Sequence, residues 1–506
     1  MGRSQKALKN VTTGLFNKLI IMALAFATRT IFIRLLGAEY TGISSLYTNI
    51  LSVLSLAEMG IGNVLMFYLY SALKDGDEDR ISDLVSEFRN IYLGIIACVL
   101  GIGIAIVPFL QFIISSPLNS FDLVIYYLLY LLNSVASYFV IYRTMVISAD
   151  QQSYIQNRCN TLTTIAMYLF QIIYLFLQKD FLGFLIIQVL CTIANNLILN
   201  HIACRKYPYL KRLKPKHSPQ DAVDKKGLFG NIKATFLFKL SDKILDQTDS
   251  IIISMMFGTI FVGYYSNYYL IITYLVNIAA IIATGLLASF GNLNAEGNKE
   301  RSYEMFRVAM LLFSAFGIYC TACYSCIIQD FIPLWTGSNE YVMDYGLVIA
   351  VLLVFYVRMV TNTVWMYRSS MGLFKEVQYI NLIAAGLNIV FSVIFGKIWG
   401  VKGVIIATAV ARLLTSFWYE GRVIFNKLGK PAKIYYLQQL RDFSIACIVV
   451  LSSYIISSLV GFAGIKGMLI KVIICTVITG TVELAFNSRT KEFILLRRKL
   501  MSAIGK

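Results

Sequence analysis

The stretch 231–258, NIKATFLFKLSDKILDQTDSIIISMMFG, is long enough to cross a bilayer, whose ~30 Å hydrocarbon layer takes about 20 helical residues. Yet it carries Lys239, Asp242, Lys243, Asp246 and Asp249 among its apolar residues. On a helix these five recur at steps of three and four, so they share one arc about 120° wide. Leu237, Leu240, Ile244, Ile251 and Met255 keep the opposite face apolar. A single charge at the bilayer centre costs at least ~2.5 kcal/mol, so a stripe of five must face water or other protein. One reading is mutual neutralisation for packing alone, Lys239 with Asp242 or Asp246 and Lys243 with Asp246. The reading favoured here is a helix lining a polar cavity in a membrane bundle, through which something hydrophilic passes.

The rest of the chain agrees with a membrane solvent. Of 506 residues 58% are hydrophobic and only 14% charged, against about 25% charged in soluble domains. The net charge of +18 lies in the gaps between apolar segments, which argues against a nucleic-acid face and for no nucleic-acid partner. The nine Cys are scattered and outline no disulfide framework. Cys320, Cys323 and Cys326 fall within an apolar helical segment, without the turns or His partners of a metal site. Two His, His201 and His217, are too few for a histidine relay, and there is no phosphate-binding loop for nucleotide. No cofactor and no metal are therefore expected. The first apolar segment runs too long for a cleavable signal.

In order, the pattern predicts about 14 transmembrane helices. Residues 1–203 form an N-lobe of spans 1–6, with span 3 bent or ended near Pro108 and the polar run KDGDEDRISDLVSEFR before it lying at the interface. A basic, Pro-containing cytoplasmic linker occupies 204–231, and 232–428 form a C-lobe of spans 7–12. Spans 13 and 14 occupy 429–486, before a basic cytoplasmic tail at 487–506. Placing both termini in the cytoplasm puts most of the 45 Lys and Arg inside, leaving Arg34, Lys179, Lys397, Lys402, Lys466 and Lys471 outside. Arg29, Lys239, Lys243, Arg358 and Arg412 lie within spans.

The chain also repeats itself. Gly37-x4-Gly42 with Tyr47 recurs as Gly258-x4-Gly263 with Tyr268, and Arg80 recurs as Arg301 at the same spacing of 221. Tyr142-Arg143 recurs as Tyr367-Arg368 at a spacing of 225. Two six-span repeats of the same orientation, plus two further helices, describe a transporter whose lobes rock about cargo held between them.

The runs RLLGAEYTGISSLYTNILSVLSLAEMGIGNVLMFYLY, DSIIISMMFGTIFVGYYSNYYLI and FIPLWTG resemble the bacterial oligosaccharide-lipid flippases (Wzx-like). That family belongs to the superfamily of multidrug, oligosaccharidyl-lipid and polysaccharide exporters. The resemblance covers nearly the whole chain, including the 6+6+2 layout. It implies a multi-pass protein of the bacterial cytoplasmic membrane that moves a polyprenyl-diphosphate-linked repeat unit for capsule, O-antigen or exopolysaccharide synthesis by alternating access through a central charged cavity. The implied partners are that lipid-linked oligosaccharide, membrane lipids, a polysaccharide polymerase and glycosyltransferases, with the chain itself a monomer and not an enzyme. One departure is Tyr419-Glu420-Gly421, where the family pattern has Glu-Pro, which puts the local turn in question.

An anionic diphosphate and a bulky glycan are costly to move through hydrocarbon, so fixed cations and hydrogen-bonding groups are needed along the route. The substrate-binding candidates are Arg29, Arg34, Glu58, Lys239, Lys243, Arg358 and Asn362. Arg29 is read as pointing inward, where a guanidinium grips phosphate bidentately. Snorkelling to the interface is an equal reading for Arg34, and pairing with Glu58 is the alternative for Arg358. Asp242, Asp246 and Asp249 are read as lining the cavity or carrying a coupling ion. Tyr264, Tyr265, Tyr268, Tyr269 and Asn267 are candidates for glycan contact, with an interfacial aromatic belt as the other reading. The direction of Arg412 stays open. A cation-coupled multidrug exporter of the same fold is the competing function. A membrane enzyme lacks any large catalytic loop or nucleophile constellation here.

Overall fold

The computed structural model describes residues 3–55, 61–211, 225–295, 297–462 and 464–504. Its helices in the first part of the chain are α1 (Arg3–Leu54), α2 (Ile61–Asp75), α3 (Glu78–Ile106), α4 (Leu110–Ile113), α5 (Ser120–Ala136), α6 (Ile141–Ala149), α7 (Ser153–Gln178) and α8 (Phe181–Lys206). There follow α9 (Lys225–Phe257), α10 (Thr259–Ala295), α11 (Lys299–Thr336), α12 (Tyr345–Met371), α13 (Phe374–Trp399), α14 (Val401–Leu414), α15 (Ser416–Lys427), α16 (Ala432–Ser458), α17 (Gly464–Asn487) and α18 (Lys491–Ile504). No strand occurs among the described residues. Within a bilayer a helix satisfies its backbone internally, which is why apolar runs of this length fold this way.

Twelve segments among the described residues are long and apolar enough to span a membrane. The expected count of about fourteen differs from this at two places. At Gly37, where φ is 85° and ψ −174°, α1 kinks and runs on through the loop drawn between spans 1 and 2. The other is α9, where Lys239, Asp242, Lys243, Asp246 and Asp249 take the stretch out of the apolar class. The polar run before span 3 is helical over most of its length. It forms the first turns of α3, because Asp77 caps the helix by accepting from the Arg80 N–H at 2.9 Å while Glu78 and Asp79 sit in the first turn. Ile81, Leu84, Val85 and Phe88 bury its inner face. α3 ends at Ile106, beside Pro108, as the sequence predicts.

The tandem repeat is visible in the backbone. Gly37 and Gly258, Gly76 and Gly297, Gln151 and Gly372, and Lys179 and Gly400 all have positive φ, and each pair is 221 residues apart. Asn298, 221 after Asp77, caps α11 by accepting from Arg301 N–H at 3.0 Å. The Tyr142-Arg143 and Tyr367-Arg368 match at 225 stands four residues, about one helical turn, out of this register.

The chain divides into two compact units, one of residues Met1–Lys243 with Gly258–Gly263 and the other of Ile244–Phe257 with Tyr264–Lys506. In the first, Gly42 and Gly263 cross backbone to backbone. A Cβ on Gly42 would stand 1.9 Å from the Thr259 carbonyl oxygen, and one on Gly263 2.1 Å from that of Ala38. The crossing is fixed by Thr259, whose N–H and hydroxyl both donate to the Ser115 carbonyl at 3.1 Å. In the second unit α11 and α12 are the most enclosed spans. Ile318, Ala322, Tyr356 and Val360 pack there with Val449 of α16 and Cys475 of α17. Where the family pattern has Glu-Pro, α15 runs unbroken through Glu420 and Gly421. Gly421 lies against the Tyr435 ring, which a Cβ would meet at 2.4 Å, and Glu420 accepts from buried Arg368 at 2.5 Å and from Asn381 at 2.8 Å.

Candidate functional site

One group of polar side chains in each unit, inside candidate spans or α9, holds residues of the predicted site. In the second unit Asp246 of α9 lies between two arginines. Its Oδ2 is 3.2 Å from Arg358 Nη1 of α12, and its Oδ1 accepts from Arg412 Nη2 of α14 at 3.0 Å. The Arg358 side chain is 33% exposed, against 16% for that of Asp246 and 15% for that of Arg412. One carboxylate therefore faces two permanent cations, and the more accessible group is a cation. One turn on, Asp249 is buried and both its oxygens accept from the Thr408 hydroxyl, at 3.0 and 2.9 Å. Asn388 donates to Thr408 at 2.8 Å and accepts from Thr248 at 3.1 Å, completing a chain of hydroxyls and amides around the carboxylate. This packing follows from sequence spacing. Asp246 and Asp249 are three apart on α9, Thr408 and Arg412 four apart on α14, so each pair shows one face to the other.

In the first unit Arg29 of α1 donates to Ser45 at 3.4 Å. It borders a cavity of about 250 Å³ with Thr28, Ser44, Thr48, Tyr130, Gln171 and Gln188, in which the Ser44 and Tyr130 hydroxyls are 2.6 Å apart. Lys243 donates to Ser52 at 2.9 Å. Arg34 is exposed, unlike Arg29 five residues before it. Lys239 and Asp242 are half-buried on α9, and Asn362 is half-buried on α12 one turn beyond Arg358. Glu58 lies outside the described residues.

The structure thus brings together Asp246 and Arg358, and adds Arg412, Thr408 and Asn388, which the site prediction does not include. A signal for Arg412 was present: a cation inside a span needs a partner, and the acids of the 231–258 stretch were available. Within the tyrosine cluster Tyr264 and Tyr269 are half-buried. Asn267 and Tyr268 are fully buried and Tyr265 nearly so. Tyr268 donates to Gln329 at 3.0 Å and accepts from the Met343 N–H at 2.9 Å, which ties α10 to the segment after α11.

The fold defines an all-α multi-pass membrane protein. The chain belongs to the polysaccharide biosynthesis protein family, whose model matches residues 7–287, more than half of its length. No curated protein matches it closely enough to count as a relative. Among solved structures it is similar to the lipid II flippase MurJ in an inward closed conformation, with a TM-score of 0.69, 15% identity, and coverage of 94% of this chain and 98% of that one. It is also similar to an inward-facing multidrug resistance MATE family transporter of the MOP superfamily, with a TM-score of 0.59, 15% identity, and coverage of 80% and 94%. The Vibrio cholerae MATE transporter VcmN aligns with a TM-score of 0.55, 13% identity, and coverage of 83% and 96%. At these identities the likenesses establish the fold.

Proposed function

We propose that the chain is a flippase that carries a polyprenyl-diphosphate-linked oligosaccharide across the bacterial cytoplasmic membrane by alternating access, supplying capsule, O-antigen or exopolysaccharide synthesis. The observation that carries this reading is the order of exposure around Asp246. Arg358 has the most exposed side chain of the cluster, while Asp246 is half-buried and Asp249 buried. An entering ligand meets a cation first, which suits a diphosphate and opposes a cationic drug. Arg358 serves as the phosphate grip, oriented by its contact with Asp246, and a bidentate phosphate competes with that carboxylate for the same planar fork. Competition of this kind makes release reversible, as a carrier requires. Arg29 is assigned to the same cargo, with Lys239, Lys243 and Asn362 as further contacts.

Cells lacking the gene are expected to accumulate lipid-linked oligosaccharide in the inner leaflet, with surface polysaccharide lost. Wild-type protein restores export, and Arg358→Gln at equal membrane abundance does not. Absence of any accumulated glycolipid overturns the reading. A cation-coupled drug exporter of the same fold is favoured by one feature only, the buried Asp249 ringed by Thr408, Asn388 and Thr248, an arrangement a coupling cation can use. Restored drug resistance in an exporter-deficient host would select it.

A further inference from the structure

Helices α7 and α8, both candidate spans, each divide into a lipid face and a polar face. On α7 Leu162, Leu169, Ile173 and Phe176 are exposed, and the opposite face carries Asn160, Thr164 and Gln171. On α8 Ile186, Leu190, Ile193 and Leu197 are exposed, opposite Gln188, Thr192 and Asn195. The two polar faces therefore point away from lipid. They border a cavity of about 320 Å³ whose lining includes no charged residue. Met167 lines both this cavity and the neighbouring one that holds Arg29, so the two adjoin.

Part of this polarity holds the helices together. Asn195 Nδ2 donates to Asn160 Oδ1 at 3.0 Å, and Thr163 donates to Asn195 Oδ1 at 2.9 Å, a neutral link of the kind that joins membrane helices. The link leaves groups over. The Asn160 amide N–H groups, the Thr164 hydroxyl and the Gln188 amide have no hydrogen-bond partner among the described residues, and all three side chains are half-buried at the cavities. Helix packing gives no reason for such donors and acceptors at membrane depth.

We propose that this α7–α8 face is a saccharide subsite, taking the neutral hydroxyl and amide groups of a glycan whose anionic end lies toward Arg29. The chemistry fits hydroxyl-rich ligands: uncharged amides and hydroxyls on successive turns, each able to donate and accept. The proposal rests on the flippase reading above and adds the part of the protein that reads the sugar.

The test measures binding of two probes to the purified full-length protein. One is the lipid-linked glycan that accumulates in cells lacking the gene, and the other is bare undecaprenyl diphosphate. Wild-type protein is expected to prefer the first by at least about 10-fold, the equivalent of one or two good hydrogen bonds. The double variant Thr164→Val/Gln188→Leu is expected to bring that ratio to about one, while Thr164→Ser alone keeps it. Neither side chain of the double variant has a hydrogen-bond partner among the described residues, so its melting temperature serves as the folding control. Equal binding of both probes by wild type, or an undiminished preference in a folded double variant, overturns the subsite and leaves the flippase reading standing. Failure of wild type to bind either probe overturns both.

Discussion

The two polar regions solve the same problem, polarity in a membrane, by opposite means. Around Asp246 the charges are dense and compensate one another, with Arg358 and Arg412 on the two oxygens of one carboxylate. Around Arg29 a guanidinium stands among neutral hydroxyls and amides, Ser45, Ser44, Tyr130 and Gln171. Removing a member of the first region strands a charge. Removing Ser44 or Tyr130 from the second strands only a dipole. The first should therefore be intolerant of substitution for reasons of folding, and the second tolerant in folding while still sensitive in function.

The sharpest way to break this contrast is Asp246→Ala. It leaves two guanidiniums without their shared carboxylate, and loss of one partner from a buried ion pair costs about 3 kcal/mol or more. Little folded protein in the membrane is expected, with partial recovery on adding Arg412→Leu. Normal abundance of the single variant, read by fluorescence-detected size exclusion, would show that the cluster does not hold the fold. Next in size is Gly42→Ala. A Cβ there would clash with the Thr259 carbonyl, and overpacking of this kind costs about 1–3 kcal/mol. Gly94→Ala, which meets nothing within 4 Å, is the control and should melt like wild type.

Thr408→Val should cost about 1–3 kcal/mol by taking the hydroxyl from buried Asp249. Ser44→Ala, which breaks a neutral contact with Tyr130, should cost no more than about 1 kcal/mol. Equal losses in the two melting curves would erase the distinction between the regions. Arg29→Gln is expected to remain folded in the membrane, yet with surface polysaccharide lost. A folded Arg29→Gln protein that still supports full export would remove Arg29 from the cargo route.

Much of the architecture was legible because a bilayer leaves few choices: long apolar runs become helices, and charges inside them must meet partners. The repeat was legible at Gly37 and Gly258 because both need a backbone conformation that other residues adopt at a cost. Its continuation at Gln151 and Lys179 was not, because those two residues take positive φ without being glycine. The helical state of the stretch before α3 was not legible, because Asp77, Glu78 and Asp79 are acidic in composition and act as a helix cap and first turn in place. At the site, the acid stripe and Arg358 were found from charge alone. Thr408 and Asn388 were missed because neutral groups in a span carry no signal until a neighbouring carboxylate gives them one.

The claim that an Asp246-anchored Arg358 takes the anionic end of the cargo is tested most directly by titrating purified wild-type and Arg358→Gln protein with undecaprenyl diphosphate. The account predicts binding at least about 10-fold weaker in the variant, the loss of one charge-assisted contact, in protein that melts lower than wild type but still folds because Arg412 stays on Asp246. Equal affinity of the two proteins for that lipid would contradict it.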